Sequence, residues 1–392
     1  MCKDDGEIAT INAPSGRQSG IREDEIVWGK TGAAQTASRL FARDGYLWLL
    51  GSGGVRRSVA ATAGGEGRGL SQIHFDAFGE EDSAQSPTTN LISALAFDAG
   101  GNLWVGSFRN GVDVFAPSGA KLAHMESDAL REINALVPDG RQGVFAATSQ
   151  GIVRLDSSLR SEWLNTSDSS TNNSVLHVAL FRKQGELGAS SPNGNNSSDG
   201  NHSTVGQLVA ATSRGLSLGT PGQVRALTTV QGLPSNSVYS VWSEAGRVYA
   251  GTLGGLAEVS SGRVVRVFKD SNSALTNNWV TAVCGAGGRL FVGTYGGGVF
   301  ELLPSGDLRG FAAETGKAFV NPNAMWGDDE RLYVGTLDGA LVLDLRTQKW
   351  SRVREELPMP TVLSVAGRGG QIYFGTTGGL ARFDTSFFNS AD

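Results

Sequence analysis

The sequence predicts an all-β protein, a single β-propeller of four-stranded blades. The repeat count gives eight blades, or seven if the first and most irregular unit is not a true blade. Three observations predict this: a strand–turn–strand motif spaced by about forty residues, a glycine content twice the usual, and a last unit lacking one strand that the N-terminus can supply.

The motif is a hydrophobic pair with an aromatic, then Gly or Ala, then Ser or Thr, a short turn, and glycine. Its clearest copies are Leu103-Trp104-Val105-Gly106-Ser107, Val248-Tyr249-Ala250-Gly251-Thr252 and Leu290-Phe291-Val292-Gly293-Thr294. Leu332-Tyr333-Val334-Gly335-Thr336 and Ile372-Tyr373-Phe374-Gly375-Thr376 follow, with weaker copies ending at Ser52, Thr148 and Thr212. The small residue before Ser/Thr falls at positions 51, 106, 147, 211, 251, 293, 335 and 375. Five of the seven intervals are 40 to 42 residues, the spacing of propeller blades. The two longer intervals, 55 and 64, contain polar, glycine-rich stretches at 60–90 and 185–206, read as loop insertions.

Glycine supplies 55 of 392 residues. A helical protein carries that load poorly, because each interior glycine costs about 1 kcal/mol against alanine. Turn-dense β-structure uses it. In the fifth unit, residues 237–242 alternate as an inner strand, and 247–252, 256–259 and 264–268 follow as second, third and outer strands. The aromatics Trp48, Trp104, Tyr249, Phe291, Tyr333 and Tyr373 recur at one strand position and are expected in the core. The final unit stops near Asp384 after three strands, and residues 25–28 form a strand-like piece without a unit. Pairing the two closes the ring and removes a bare sheet edge. Residues 1–24 are expected to be a flexible segment and 25–388 the propeller.

Two passages are similar to a known family. Gly232-Leu233-Pro234-Ser235-Asn236-Ser237-Val238 leads into Gly246-Arg247-Val248-Tyr249-Ala250-Gly251-Thr252 and Gly254-Gly255-Leu256, and Asp98-Ala99-Gly100-Gly101-Asn102-Leu103-Trp104-Val105-Gly106-Ser107 follows the same form. Both resemble the two-component regulator propeller repeat, over about residues 38–384. The resemblance implies an extracytoplasmic sensor propeller, of a kind that often detects oligosaccharides in signal transduction. The chain departs from the pattern in lacking the transmembrane helix, kinase and second propeller usually joined to it.

In a propeller, the turns after Gly-Ser/Thr and the loops leading to the next inner strand share one face, where ligands converge. That face is expected to carry Phe108, Arg109, Asn110, Gln150, Arg214, Trp279, Tyr295 and Asp338. Inter-blade asparagines at 90, 173, 236, 278 and 323 belong to it, although asparagine also simply caps turns. Aromatic rings stack on the apolar face of a sugar, while amides and guanidinium groups bond its hydroxyls.

Several classes lose support. The net charge is −5, with no Lys/Arg cluster for a nucleic acid. Cys2 and Cys284 make no disulfide framework, and the four histidines are scattered singly, so no metal site is expected. No cofactor motif appears: Gly293-Thr294-Tyr295-Gly296-Gly297-Gly298 lies between strands, not before a helix that could hold a phosphate. Asp328-Asp329-Glu330 reads as a solvated turn, and no catalytic residues are assigned. Met1-Cys2-Lys3-Asp4-Asp5-Gly6 reads equally as a cytosolic start or as a mature bacterial lipoprotein start with methionine added, so a lipid anchor at Cys2 is the membrane attachment considered. The leading expectation is a periplasmic or cell-surface propeller binding a small molecule or oligosaccharide. A protein-interaction scaffold is the second reading and a polysaccharide lyase or hydrolase the third.

Overall fold

The computed structural model describes residues 7–11, 26–30, 37–43, 46–51, 54–58, 75–78, 86–89, 91–164, 175–181, 207–220, 223–368 and 370–389. It is a β-propeller with eight blades: seven are four-stranded sheets with strands antiparallel in chain order, and the last is a five-stranded sheet of three such strands and two from the N-terminus. The inner strands are Ala37–Arg43, Ile92–Phe97, Ile133–Pro138, Val175–Phe181, Val238–Glu244, Val280–Ala286, Val320–Gly327 and Val362–Arg368. Blade 5 continues through Arg247–Thr252, Gly255–Ser260 and Arg263–Phe268, each within two residues of its sequence assignment. The chain forms two compact units, Gly79–Val283 with blades 2 to 5, and Met1–Phe78 with Cys284–Asp392, which holds blades 1, 7, 8 and most of blade 6.

The recurring motif has a physical reason at each position. Its Ser or Thr hydroxyl, buried at the end of the second strand, donates to the carbonyl of the glycine that opens the third strand. Thr148, Thr212, Thr252, Thr336 and Thr376 do so to Gly151, Gly215, Gly255, Gly339 and Gly379 at 2.7–3.1 Å. Ser107 and Thr294 reach Gly111 and Gly298 across turns one residue longer. The glycine before the hydroxyl faces the next inner strand. A Cβ on Gly106, Gly251, Gly293 or Gly335 would stand 2.6–2.8 Å from the side chain of Ile133, Val280, Val320 or Val362. Blades therefore nest backbone against β-branched side chain, closer than any larger residue allows.

The Asp98–Ser107 passage owes its form to one buried carboxylate. Asp98 accepts from the Asn102 backbone N–H at 3.0 Å, the Asn102 amide at 2.9 Å and Trp104 Nε1 at 3.0 Å. Trp104 is thus fully buried with its polar edge bonded. Trp48, Tyr249, Phe291 and Tyr333 are also buried, whereas Tyr373 is half-buried with its hydroxyl on Gln371.

The last blade is completed by an N-terminal strand, but not by the expected residues. Glu7–Ile11 runs parallel to Gly379–Asp384, with Ala9 opposite Ala381 and Thr10 opposite Arg382. The residues expected to close the blade fall largely in Ile26–Lys30, one place further out and antiparallel to Glu7–Ile11. Part of the segment read as flexible is therefore strand, formed by the β-branched composition of Ile8, Thr10 and Ile11 among polar neighbours. Likewise Phe75–Phe78, inside the first expected insertion, is the outer strand of blade 1. The second insertion lies outside the described residues.

Candidate functional site

Seven of the inner strands share a bulge at their start. In blade 5, Val238 pairs with Thr252 and Ser240 with Gly251, so Tyr239 is squeezed out of register. Blades 1, 2, 3, 4 and 8 repeat this one-residue slip. Such bulges re-aim side chains where a strand meets its loop. Blade 7 enlarges it: Val320 pairs with Thr336 but the next pair is Met325 with Val334. Asn323, expected in an inter-blade loop, instead lies in this enlarged bulge with φ of 54°, a left-handed conformation that asparagine tolerates. Asn321, buried beside it, donates through its amide to Val362 O at 2.7 Å.

The expected site residues are divided between the two units, Trp279 in the loop before an inner strand and the others after second strands. In the Gly79–Val283 unit, Phe108 and Arg109 are exposed and Asn110 half-buried, in the turn after Ser107. Phe108 donates its N–H to Leu91 O at 2.9 Å, which sets two large apolar residues side by side at the start of blade 2. Gln150 and Arg214 are exposed, and their N–H groups donate to Thr148 and Thr212 Oγ1. Trp279 is half-buried, its ring 5.6 Å from that of Tyr239, the bulge residue of blade 5. Asn236 and Asn278 act as turn caps, accepting from Thr229 and Asp270 N–H at 2.8 Å. Asn90 and Asn173 lie outside the described residues.

In the other unit, Tyr295 and Phe319 meet edge to face, centroids 5.1 Å apart at 77°. Phe319 also covers Gly296, whose φ of 92° and lack of a side chain leave room for the ring. Leu337 donates its N–H to Phe319 O at 3.1 Å. Next to it Asp338 accepts from Arg354 Nε at 2.6 Å, with Arg352 Nη1 at 3.5 Å from its other oxygen. Arg352 is itself fixed by the carbonyls of Asp338 and Thr315, at 2.6 and 3.0 Å. Phe319 and Leu337 went unnoticed in the sequence. Both are large apolar residues held 45% and 37% exposed.

A second feature missed in the sequence lies on the outer strands of blade 2. The Asp113 carboxylate, 6% exposed, accepts from Thr88 N–H, Thr88 Oγ1 and His124 Nδ1 at 2.7–2.8 Å and pairs with Lys121 at 2.9 Å. The residue types match a nucleophile–base–acid set, but the geometry does not. Thr88 and Asp113 both address Nδ1, and Nε2 faces Glu126 at 3.5 Å, so the two ring nitrogens do not bridge Thr88 and Asp113 as the relay of such a set requires. The cluster acts as a clasp on residues 86–89. Asp328 is likewise structural, its carboxylate capping the N–H groups of Glu330 and Arg331. Among the described residues, no three His, Cys, Asp or Glu side chains converge as metal ligands would, and no helix is long and apolar enough to cross a membrane.

The exposed apolar residues are unevenly placed. Ten large hydrophobic side chains are exposed among the described residues. Leu91, Phe108, Val230, Leu253, Phe319 and Leu337 lie in the turns after the second strand or in the loops entering the inner strand, so they share one end of their blades. The others, Leu122, Leu159, Trp163 and Val265, lie on outer strands or the turn before one.

No protein-family model matches the chain, and no curated protein does. Solved structures do. The computationally designed Ika8 protein is similar over 96% of this chain and 99% of its own, at 14% identity and a TM-score of 0.63. The extracellular domain of the system BT4673 from B. thetaiotaomicron is similar over 91% of this chain and 54% of its own, at 16% identity and a TM-score of 0.50. The WD40 β-propeller domain of Doa1 matches 89% of this chain and 92% of its own, at 12% identity and a TM-score of 0.51. Together with the eight blade sheets, these likenesses establish the β-propeller fold.

Proposed function

We propose that this chain is a sensor- or interaction-type propeller that works outside the cytoplasm and binds its target at the turn-bearing ends of its blades. The target class that best suits the residues there is a carbohydrate-like or other polar ligand. The observation that carries the reading is that, of the ten large apolar side chains exposed among the described residues, six stand at that end of their own blades, as do exposed Arg109, Arg214 and Asp338. Large apolar side chains are costly to hold in water, and grouped with polar neighbours they mark binding surfaces. The likeness to an extracellular domain supports the compartment.

A protein partner is the second reading, favoured by Leu91 and Phe108 standing together. Array capture of the full chain on immobilised glycans tests the first. Glycan binding is expected, with a loss of about tenfold or more when Phe108, Leu253 and Phe319 are each changed to serine, since buried aromatic and aliphatic contacts are worth roughly 1.5–3 kcal/mol. Capture of a protein through the same residues, with no glycan bound, favours the second reading. Binding that ignores all three substitutions contradicts both.

A further inference from the structure

We propose that the Tyr295–Phe319–Leu337 surface and the adjoining Asp338 form a subsite for a neutral, polyhydroxylated ring, a single sugar residue of an uncharged glycan. The proposal rests on the binding function above and goes further, by fixing one location and the charge class of what it holds.

Four features lead to it. Phe319 is held in place rather than loosely exposed. Its ring lies on Gly296 and against the Tyr295 edge, and its carbonyl is bonded by Leu337. An exposed ring held by two ring contacts on a bonded backbone is pre-organised, so little rotamer freedom is lost when a ligand stacks on it.

Next to the ring stand both hydrogen-bonding polarities. Asp338 is 63% exposed, and with two arginines around it the carboxylate keeps acceptor sites facing solvent, while Arg354 presents donors beside them. Vicinal hydroxyls, which donate and accept together, match such a pair.

The charges carry no positive excess. The hydrogen-bonded cluster is Asp338, Glu355 and Glu356 against Arg352 and Arg354, three acids and two bases. An anionic ligand would break these pairs with no positive field to draw it in. Size decides the rest: three apolar side chains fall far short of the roughly 800 Å² per partner that a stable protein interface covers, but suffice for one or two rings.

Calorimetric titration of the full chain with cellohexaose, maltohexaose, mannohexaose and hexagalacturonate tests this. At least one neutral hexasaccharide is expected to bind, hexagalacturonate not to compete with it, and Phe319→Ala and Asp338→Asn each to weaken it about tenfold. Val265→Ala, on an outer strand, should leave that affinity unchanged, and circular dichroism of each variant separates loss of the subsite from loss of fold. Sugar binding that survives Phe319→Ala with the fold intact overturns the subsite but leaves the binding function standing, as does preference for hexagalacturonate. Failure to bind any of the four overturns the subsite, and if the glycan array is also blank the sugar-binding function falls with it.

Discussion

Replacing Gly293 by valine is expected to destabilise the protein by about 3 kcal/mol, near the upper end for overpacking a well-filled core. A Cβ there would lie 2.6 Å from Val320 Cγ1 and 3.0 Å from Met325 Sδ, and valine adds two further methyl groups. The neighbours cannot retreat, because Val320 and Met325 flank the enlarged bulge and are both buried. The same position in blades 3 and 4 is naturally alanine, Ala147 and Ala211, each fully buried. Where the nesting has grown around a methyl group, the sign reverses: Ala147→Gly should cost about 1 kcal/mol through the lost methyl contacts and added chain freedom. Urea denaturation midpoints of the two variants check the pair. Equal tolerance of both changes would mean that the blades are not nested on this residue.

Removing the C-terminal residues after Asp384 is expected to cost about 3–5 kcal/mol, comparable to deleting buried aromatic side chains from a core. The segment Thr385–Asn389 brings Phe388 to 5.6 Å from the Tyr333 ring and 5.8 Å from Phe383, with Phe387 5.2 Å from Phe383. Phe388 helps to bury Tyr333, together with Trp326 and Phe374, and the Tyr333 phenol is pushed up to about 12, first by burial and then by nearby Asp328. The folded state therefore holds a proton that the unfolded chain releases near pH 10. Stability from this group is complete below pH 10 and declines as pH rises from 10 towards 12. Truncation should let Tyr333 titrate nearer 10 as well as lowering the denaturation midpoint. Ultraviolet phenolate titration reads the first effect, and an unchanged titration would show that the segment does not cover the ring.

Much of this was legible in the sequence for a definite reason. The hydroxyl-to-glycine bond demands Ser or Thr and the nesting demands a small residue, Gly or Ala, so the pair recurs in register and reveals eight blades. The capping asparagines 236 and 278 were legible on the same ground. The missing details are those that demand no particular residue. Phe319 follows Ala318 and precedes Val320, and in that apolar run nothing distinguishes an exposed ring from a strand residue. The blade 7 bulge takes up extra residues without changing the interval of 42 between Gly293 and Gly335, so spacing cannot disclose it. The Asp113 clasp joins Thr88 to His124 across 36 positions, a contact that only the fold creates. Glu7–Ile11 is too short and too polar in its surroundings to announce itself as the closing strand.

The claim at the centre of this account is that the turn-bearing blade ends bind. Oxidative footprinting of the full chain, with and without a saturating neutral hexasaccharide, tests it most directly. The account predicts protection at Tyr295, Phe319 and Leu337, with Trp163, Leu159 and Val265 on the outer parts of their blades unchanged. Protection confined to those outer residues, with the turn ends reacting as in the free protein, would contradict it.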